Sequence, residues 1–108
     1  MNQYLSKRSE AVDLLRLKKA LYFIRLVVSD YGTGIYDHLG FSHALATSKA
    51  EELREQVDPF CPVEGAFGGL VEAMKKLVED SSAFIEAERC LDEISGYFEL
   101  ERFAMLRR

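Results

Sequence analysis

The residues best suited to chemistry are two histidines, His38 and His43, and one cysteine, Cys61, in a proline-rich loop. Brought together, they could bind a metal ion or pair a thiol with a base for nucleophilic catalysis. The histidines are five residues apart, so on one continuous helix their side chains diverge by about 140°. The chain also has no Glu-x-x-His pair, the spacing that directs two ligands into a di-iron bundle. We therefore predict no metal and no cofactor. A ligand-binding or catalytic pocket near these residues is the alternative function.

Two other patterns, a glycine-rich segment and a set of acidic residues, resemble functional motifs but lack the neighbouring residues that those functions need. Glycines precede a helical stretch in EGAFGGL, as in phosphate-binding loops, but Gly69 is followed by Leu70 where a P-loop has lysine. The last helical stretch is rich in acidic residues, but they are spread around the helix. Catalytic carboxylates instead need an apolar pocket that shifts their pKa. We interpret these acids as a solvated face, with an acidic docking surface as the alternative, and predict that the chain is not an enzyme.

Charge is distributed unevenly along the chain. Residues 1–25 contain six Lys or Arg against two acids, whereas residues 26–108 contain eight against sixteen. The net charge of −4 disfavours general nucleic-acid binding, which needs clustered basic residues. Binding of nucleic acid through the basic amino-terminal part is a weaker alternative. The apolar run at residues 20–28 is too short for a membrane span. With two cysteines and no secretory signal, we expect a cytoplasmic protein with reduced thiols.

Large apolar residues outside the predicted core are the candidates for binding a partner. Tyr31, Tyr36 and Phe41 lie in or beside a segment with several glycines, where burial is least assured. Tyrosine is favoured at interfaces because it combines a large contact area with a polar tip. Near the carboxyl end, Leu100 and Phe103 point away from the apolar side of the last helix. We predict that these residues contact another protein, and a homodimer is the simplest case because symmetry uses each patch twice.

The first helix is the element around which the others are expected to pack. Its main apolar stripe follows a 3,4,3,4 spacing through Leu14, Leu17, Leu21, Ile24 and Val28. A second row, formed by Leu15, Tyr22 and Leu26, lies on another side of the helix. A helix that is apolar on several sides needs more than one neighbour, which predicts a place in the middle of the bundle or at a subunit interface. We predict that it begins after Ser9 and ends at about Asp30, with Gly32 as its C-cap.

The other elements follow from apolar spacing, caps and breakers. A short helical turn is predicted at 35–39, and a capping box formed by Ser48 and Glu51 predicts a second helix through 51–57. Whether residues 42–47 join that helix or form a separate turn is left open by their pattern. Pro59 and Pro62 end this second helix. A third helix is predicted through 67–78, and residues 80–82 cap a fourth that extends from about Ala83 to Leu106.

Together these features predict an all-α fold with one domain over residues 1–108, frayed at residues 1–8. It is a bundle of four helices, or five if the turn at 35–39 counts as one, with a long central first helix and a long last helix. The function predicted is a non-enzymatic protein-interaction module of the inhibitor, immunity, chaperone or adaptor type. Its partner is another protein or a second copy of itself, with neither nucleic acid nor membrane involved.

Overall fold

The structure is a computed structural model that describes residues 10–34 and 39–98. Its helices are α1 (Glu10–Thr33), α2 (Leu39–Gln56), α3 (Glu64–Lys76) and α4 (Phe84–Phe98), and a 3-10 turn at Ser81–Ala83 precedes α4. Consecutive helices pack against each other, and α1 also packs against α4, so the helices form a closed ring. Neighbouring helices are antiparallel, as short connections require. The predicted all-α, single-domain bundle is confirmed, with four helices and no strand over the described ranges.

The core is formed by residues that repeat every three or four positions on each helix, so that one side of every helix faces inward. Helix α3 is the most deeply packed, although it has only 13 residues. The largest fully buried side chains are Phe67, Leu17, Ile24, Leu70, Met74, Leu77, Leu91 and Ile94. Phe67 and Phe98 meet edge to face with ring centroids 6.4 Å apart, which joins α3 to the last described turn of α4.

Helix α1 differs from its prediction in position and length. It packs on α2 and α4, but it does not lie in the middle of the bundle, because its side opposite Ile24 is exposed. It also continues past Asp30 to Thr33, so Gly32 is helical and is not the C-cap. The backbone leaves the helix at Gly34, where φ is +82°, a conformation that glycine adopts without a steric penalty.

The second helix begins earlier than the capping box predicts. Helix α2 starts at Leu39, so Ser48 lies inside it and caps nothing. Residues 42–47 join the helix because their buried positions, His43 and Ala46, continue the spacing of Ala50 and Leu53. A Ser-x-x-Glu pattern marks a helix start only where the preceding residues cannot be helical, and here they can be. The predicted turn at 35–39 and the frayed residues 1–8 fall largely or wholly outside the described residues.

Helices α3 and α4 lie close together where Gly69 meets Cys90. The glycines at 65, 68 and 69 belong to the first turns of α3, which begins at Glu64, three residues before its predicted start. A Cβ atom at Gly69 would lie 2.9 Å from the Sγ atom of Cys90, closer than such atoms pack. Asp80 accepts a hydrogen bond from the backbone amide of Ser82 and so caps the 3-10 turn before α4. The extension of α4 from residue 99 to Leu106 lies outside the described residues.

This contact leads to a prediction about neighbouring glycines. We expect Gly69→Ala to lower the free energy of unfolding by about 1–2 kcal/mol, because overpacking against Cys90 exceeds the gain in helix propensity. Gly68→Ala is the matched control, since its Cβ would only reach ordinary contact with Arg54 at 3.9 Å. It should raise the stability by up to about 1 kcal/mol. Urea denaturation measures both, and Cys90→Ala should restore part of the stability lost in Gly69→Ala. Equal changes in the free energy of unfolding for Gly69→Ala and Gly68→Ala would contradict the close packing of Gly69 against Cys90.

Candidate functional site

The chemically most capable residue, His43, is used to close one end of the bundle. It is buried on α2, and its Nε2–H donates a hydrogen bond to the backbone carbonyl of Met74. That carbonyl belongs to the last turn of α3, where helix geometry leaves carbonyls without intrahelical partners. The ring of Tyr31 meets the His43 ring edge to face, with centroids 5.6 Å apart. His43 therefore ties α1, α2 and α3 together through contacts that a structural histidine makes.

Cys61 lies at the opposite end of the bundle from His43. The α2 residues between His43 and Gln56 span about 20 Å along the helix axis, and Cys61 follows in the loop that joins α2 to α3. The structure thus does not bring His43 and Cys61 to one pocket, and His38 lies outside the described residues. Within residues 10–34 and 39–98, no three His, Cys, Asp or Glu residues are grouped in a way that could hold a metal ion.

Both thiols are free and buried. Burial raises the pKa of the Cys90 thiol to about 11, and the neighbouring Arg89 guanidinium only partly offsets this rise. At neutral pH this thiol is protonated, which makes it a weak nucleophile. Cys90 is a core residue, fully buried against α3.

The five residues predicted to bind a partner have different locations. Phe41 is 80% exposed at the start of α2. Tyr31 is only partly exposed, because it packs against the core and against His43. Tyr36, Leu100 and Phe103 lie outside the described residues. Of the predicted set, Phe41 is therefore the one that the structure places on the surface.

A row of large apolar side chains on α1, which the sequence analysis did not select as a site, is exposed instead. Leu15 is 53% exposed, Tyr22 66% and Leu26 48%. With Lys19 between them they form one row, which we call the outer face of α1, on the side of the helix opposite Ile24. The sequence signal was present as the second apolar row of this helix. What it did not reveal is that neither α2 nor α4 covers this row.

The two helices on this side of the bundle carry opposite charge. From Leu14 to Ser29, α1 contains four basic residues and no acid, whereas α4 contains four acids and one basic residue, Arg89. Arg25 on α1 and Asp92 on α4 form an ion pair at 3.2 Å, so these two residues lie at the same height along the bundle. On the surface of α4, Arg89 pairs with Glu86 and Glu93, and its hydrogen bonds lower the pKa of Glu86.

An open groove of about 460 Å³ runs between α1 and α2 beside the outer face of α1. Leu15, Ala20 and Leu53 supply its apolar surface, and Arg16, Lys19 and Lys49 surround it with positive charge. Glu52 and Gln56 complete the lining. The groove is shallow and open to solvent, unlike the enclosed pockets that bury most of a small ligand. Its basic residues extend the positive surface of α1.

None of the helices in the described ranges is both long enough and apolar enough to cross a membrane. Comparisons with models of known protein families, with curated proteins and with solved structures find no match to this chain.

Proposed function

We propose that this chain is a non-enzymatic helical module that binds protein through the outer face of α1. The observation that carries the proposal is the exposure of Leu15, Tyr22 and Leu26 along one side of a helix whose other side forms the core. Single exposed apolar residues are normal on protein surfaces, but a contiguous apolar patch marks an interaction site. The three side chains span about 16 Å of helix, which is the length over which two helices pack.

The energetic case rests on what such a row gains when it is covered. Fully burying a large apolar side chain contributes roughly 1.5–3 kcal/mol. Tyr22 and the two leucines are about half exposed, so covering them contributes a few kcal/mol before the cost of association is subtracted. Tyrosine is also enriched among residues that dominate binding energies. The row would thus form the centre of an interface, and polar residues on either side of it would form the rim.

Two further observations support a role without catalysis. The buried His43 is engaged by the Met74 carbonyl, and Cys61 is distant from it, so neither is paired as a base and nucleophile. The Cys90 thiol is protonated at neutral pH because of its raised pKa. Free, buried thiols also fit a reducing compartment such as the cytoplasm.

The test is site-specific photocrosslinking in the cells that produce the protein. A photoreactive phenylalanine analogue placed at Tyr22 should give one or a few discrete adducts, because it sits in the proposed interface. The same analogue at Glu72, which is exposed on α3 across the ring from α1, is the matched control and should give none. Mass spectrometry of the adduct then assigns the class, whether inhibitor, immunity factor, chaperone or adaptor. Equal labelling at both positions, or none at Tyr22, would show that the outer face of α1 is not a binding surface.

A further inference from the structure

The side of the bundle formed by α1 and α4 has the charge pattern of a surface that binds a copy of itself. We infer that two copies of this chain pack their α1–α4 sides together around a two-fold axis parallel to the helices, so that α1 of each copy lies against α4 of the other. This inference rests on the proposed function, because it uses the outer face of α1 as a protein-binding surface. The inference identifies the partner of that surface as a second copy of this chain.

The charges of α1 and α4 are complementary in such a dimer. In a two-fold dimer every contact occurs twice, so the shared surface must be complementary to itself. Packing α1 against α1 would bring together two helices that each carry four basic residues and no acid between Leu14 and Ser29. Packing α1 against α4 instead joins this basic helix to one with four acids and a single basic residue. Opposite potentials across an interface favour this arrangement and disfavour the other.

The register of α1 and α4 determines which residues would meet across the dimer. Within one chain, Arg25 lies level with Asp92, and Gly32 contacts Phe84, so α1 and α4 are antiparallel neighbours. Rotation about a two-fold axis parallel to the helices leaves the height of every residue along that axis unchanged. It therefore places Tyr22 of one copy against the stretch of α4 between Asp92 and Gly96 of the other.

The outward row on that stretch of α4 leaves space for Tyr22. Helical spacing puts Ile85, Arg89, Glu93 and Gly96 on one side of α4. Gly96 is exposed, and a Cβ atom there would meet no atom of residues 10–34 or 39–98 within 4 Å. A glycine in a helix costs about 1 kcal/mol relative to alanine, and here it leaves space for the Tyr22 ring of the other copy.

The side of the bundle formed by α1 and α4 is large enough for an interface. Helix α1 has 24 residues and the described part of α4 has 15, which correspond to about 36 and 22 Å of helix. Two helices side by side are about 20 Å wide, so the shared side covers roughly 600 Å² per copy. Stable, specific interfaces bury about 600–1,000 Å² on each partner. The face is therefore large enough for a dimer, and one at this lower limit should dissociate on dilution.

Analytical ultracentrifugation of the full chain over a range of concentrations tests the inference. We expect the wild type to dimerise, and two charge reversals to weaken the dimer at least tenfold. One is Lys18→Glu/Lys19→Glu on α1, and the other is Glu86→Lys/Glu93→Lys on α4. An equimolar mixture of these two variants should dimerise again. In the mixed dimer one contact joins unchanged α1 to unchanged α4, and the other joins the new glutamates on α1 to the new lysines on α4. The matched control is Glu72→Lys/Glu79→Lys, which makes the same charge change outside this face and should dimerise like the wild type.

Several outcomes would overturn the inference. A wild type that stays monomeric at all concentrations would exclude the dimer, whereas a crosslinked adduct of foreign mass at Tyr22 would leave the proposed function intact. A dimer that tolerates reversal on α4 but not on α1 would mean that α1 packs against α1. A mixture of the two reversed variants that remains monomeric, while circular dichroism shows both to be folded, would contradict the pairing of α1 with α4.

Discussion

Phe67→Ala is expected to lower the free energy of unfolding by about 3–5 kcal/mol, the range measured for truncating buried aromatic residues. Phe67 is only 1% exposed, at the point where α3 faces the interior of the ring. Its ring also packs edge to face on Phe98, an arrangement worth about 0.5–1.5 kcal/mol beyond the buried area. Since small domains are stable by about 5–15 kcal/mol in total, this one substitution removes a large fraction of the stability.

The chain contains a matched control for this substitution. Phe60 lies in the loop between α2 and α3 and is 87% exposed, so Phe60→Ala should change the stability by less than about 0.5 kcal/mol. Urea denaturation followed by circular dichroism gives both values. Similar losses at the two positions would mean that Phe67 does not fill the core and that this side of α3 does not face the interior of the ring.

Leu21→Ala should cost about 2–5 kcal/mol, because Leu21 lies in the middle of the core stripe of α1 and is buried. Leu26→Ala, on the outer face of the same helix, removes the same atoms from a half-exposed position and should cost less than about 1 kcal/mol. Thermal or urea unfolding of the two variants measures the difference at a concentration where the chain is monomeric. A denaturation midpoint that is unchanged by Leu21→Ala would show that this side of α1 is peripheral.

The same pair of leucines separates folding from binding. If the outer face of α1 is an interface, Leu26→Ala weakens association while the monomer keeps its stability. Leu21→Ala has the opposite effect, since it acts on the core that every state of the folded chain shares. Comparing the Leu21→Ala and Leu26→Ala variants by sedimentation and by unfolding therefore tests whether one side of α1 stabilises the fold while the other side binds a partner.

Most of the fold could be predicted from local patterns. The 3,4 spacing of Leu17, Leu21 and Ile24 identified the buried side of α1, and Pro59 and Pro62 marked the break between α2 and α3. The errors concern helix ends and the position of α1, whose outer face is exposed. The capping box at Ser48 was misleading because capping competes with continuation of the helix, and the buried residues before it favoured continuation. Gly34, with its positive φ, ended α1 instead of Gly32.

The candidate site was less predictable, for a physical reason. By itself, the sequence determined which residues share a side of a helix, because that depends only on the 100° rotation per residue. It thus revealed the row of Leu15, Tyr22 and Leu26 as a second apolar surface. Only the tertiary structure decided that this row faces solvent, that His43 is enclosed by Met74 and Tyr31, and that Cys61 lies at the other end of the bundle. Those facts depend on which helices pack together and at what level, and such long-range contacts are not encoded in the spacing along any one helix.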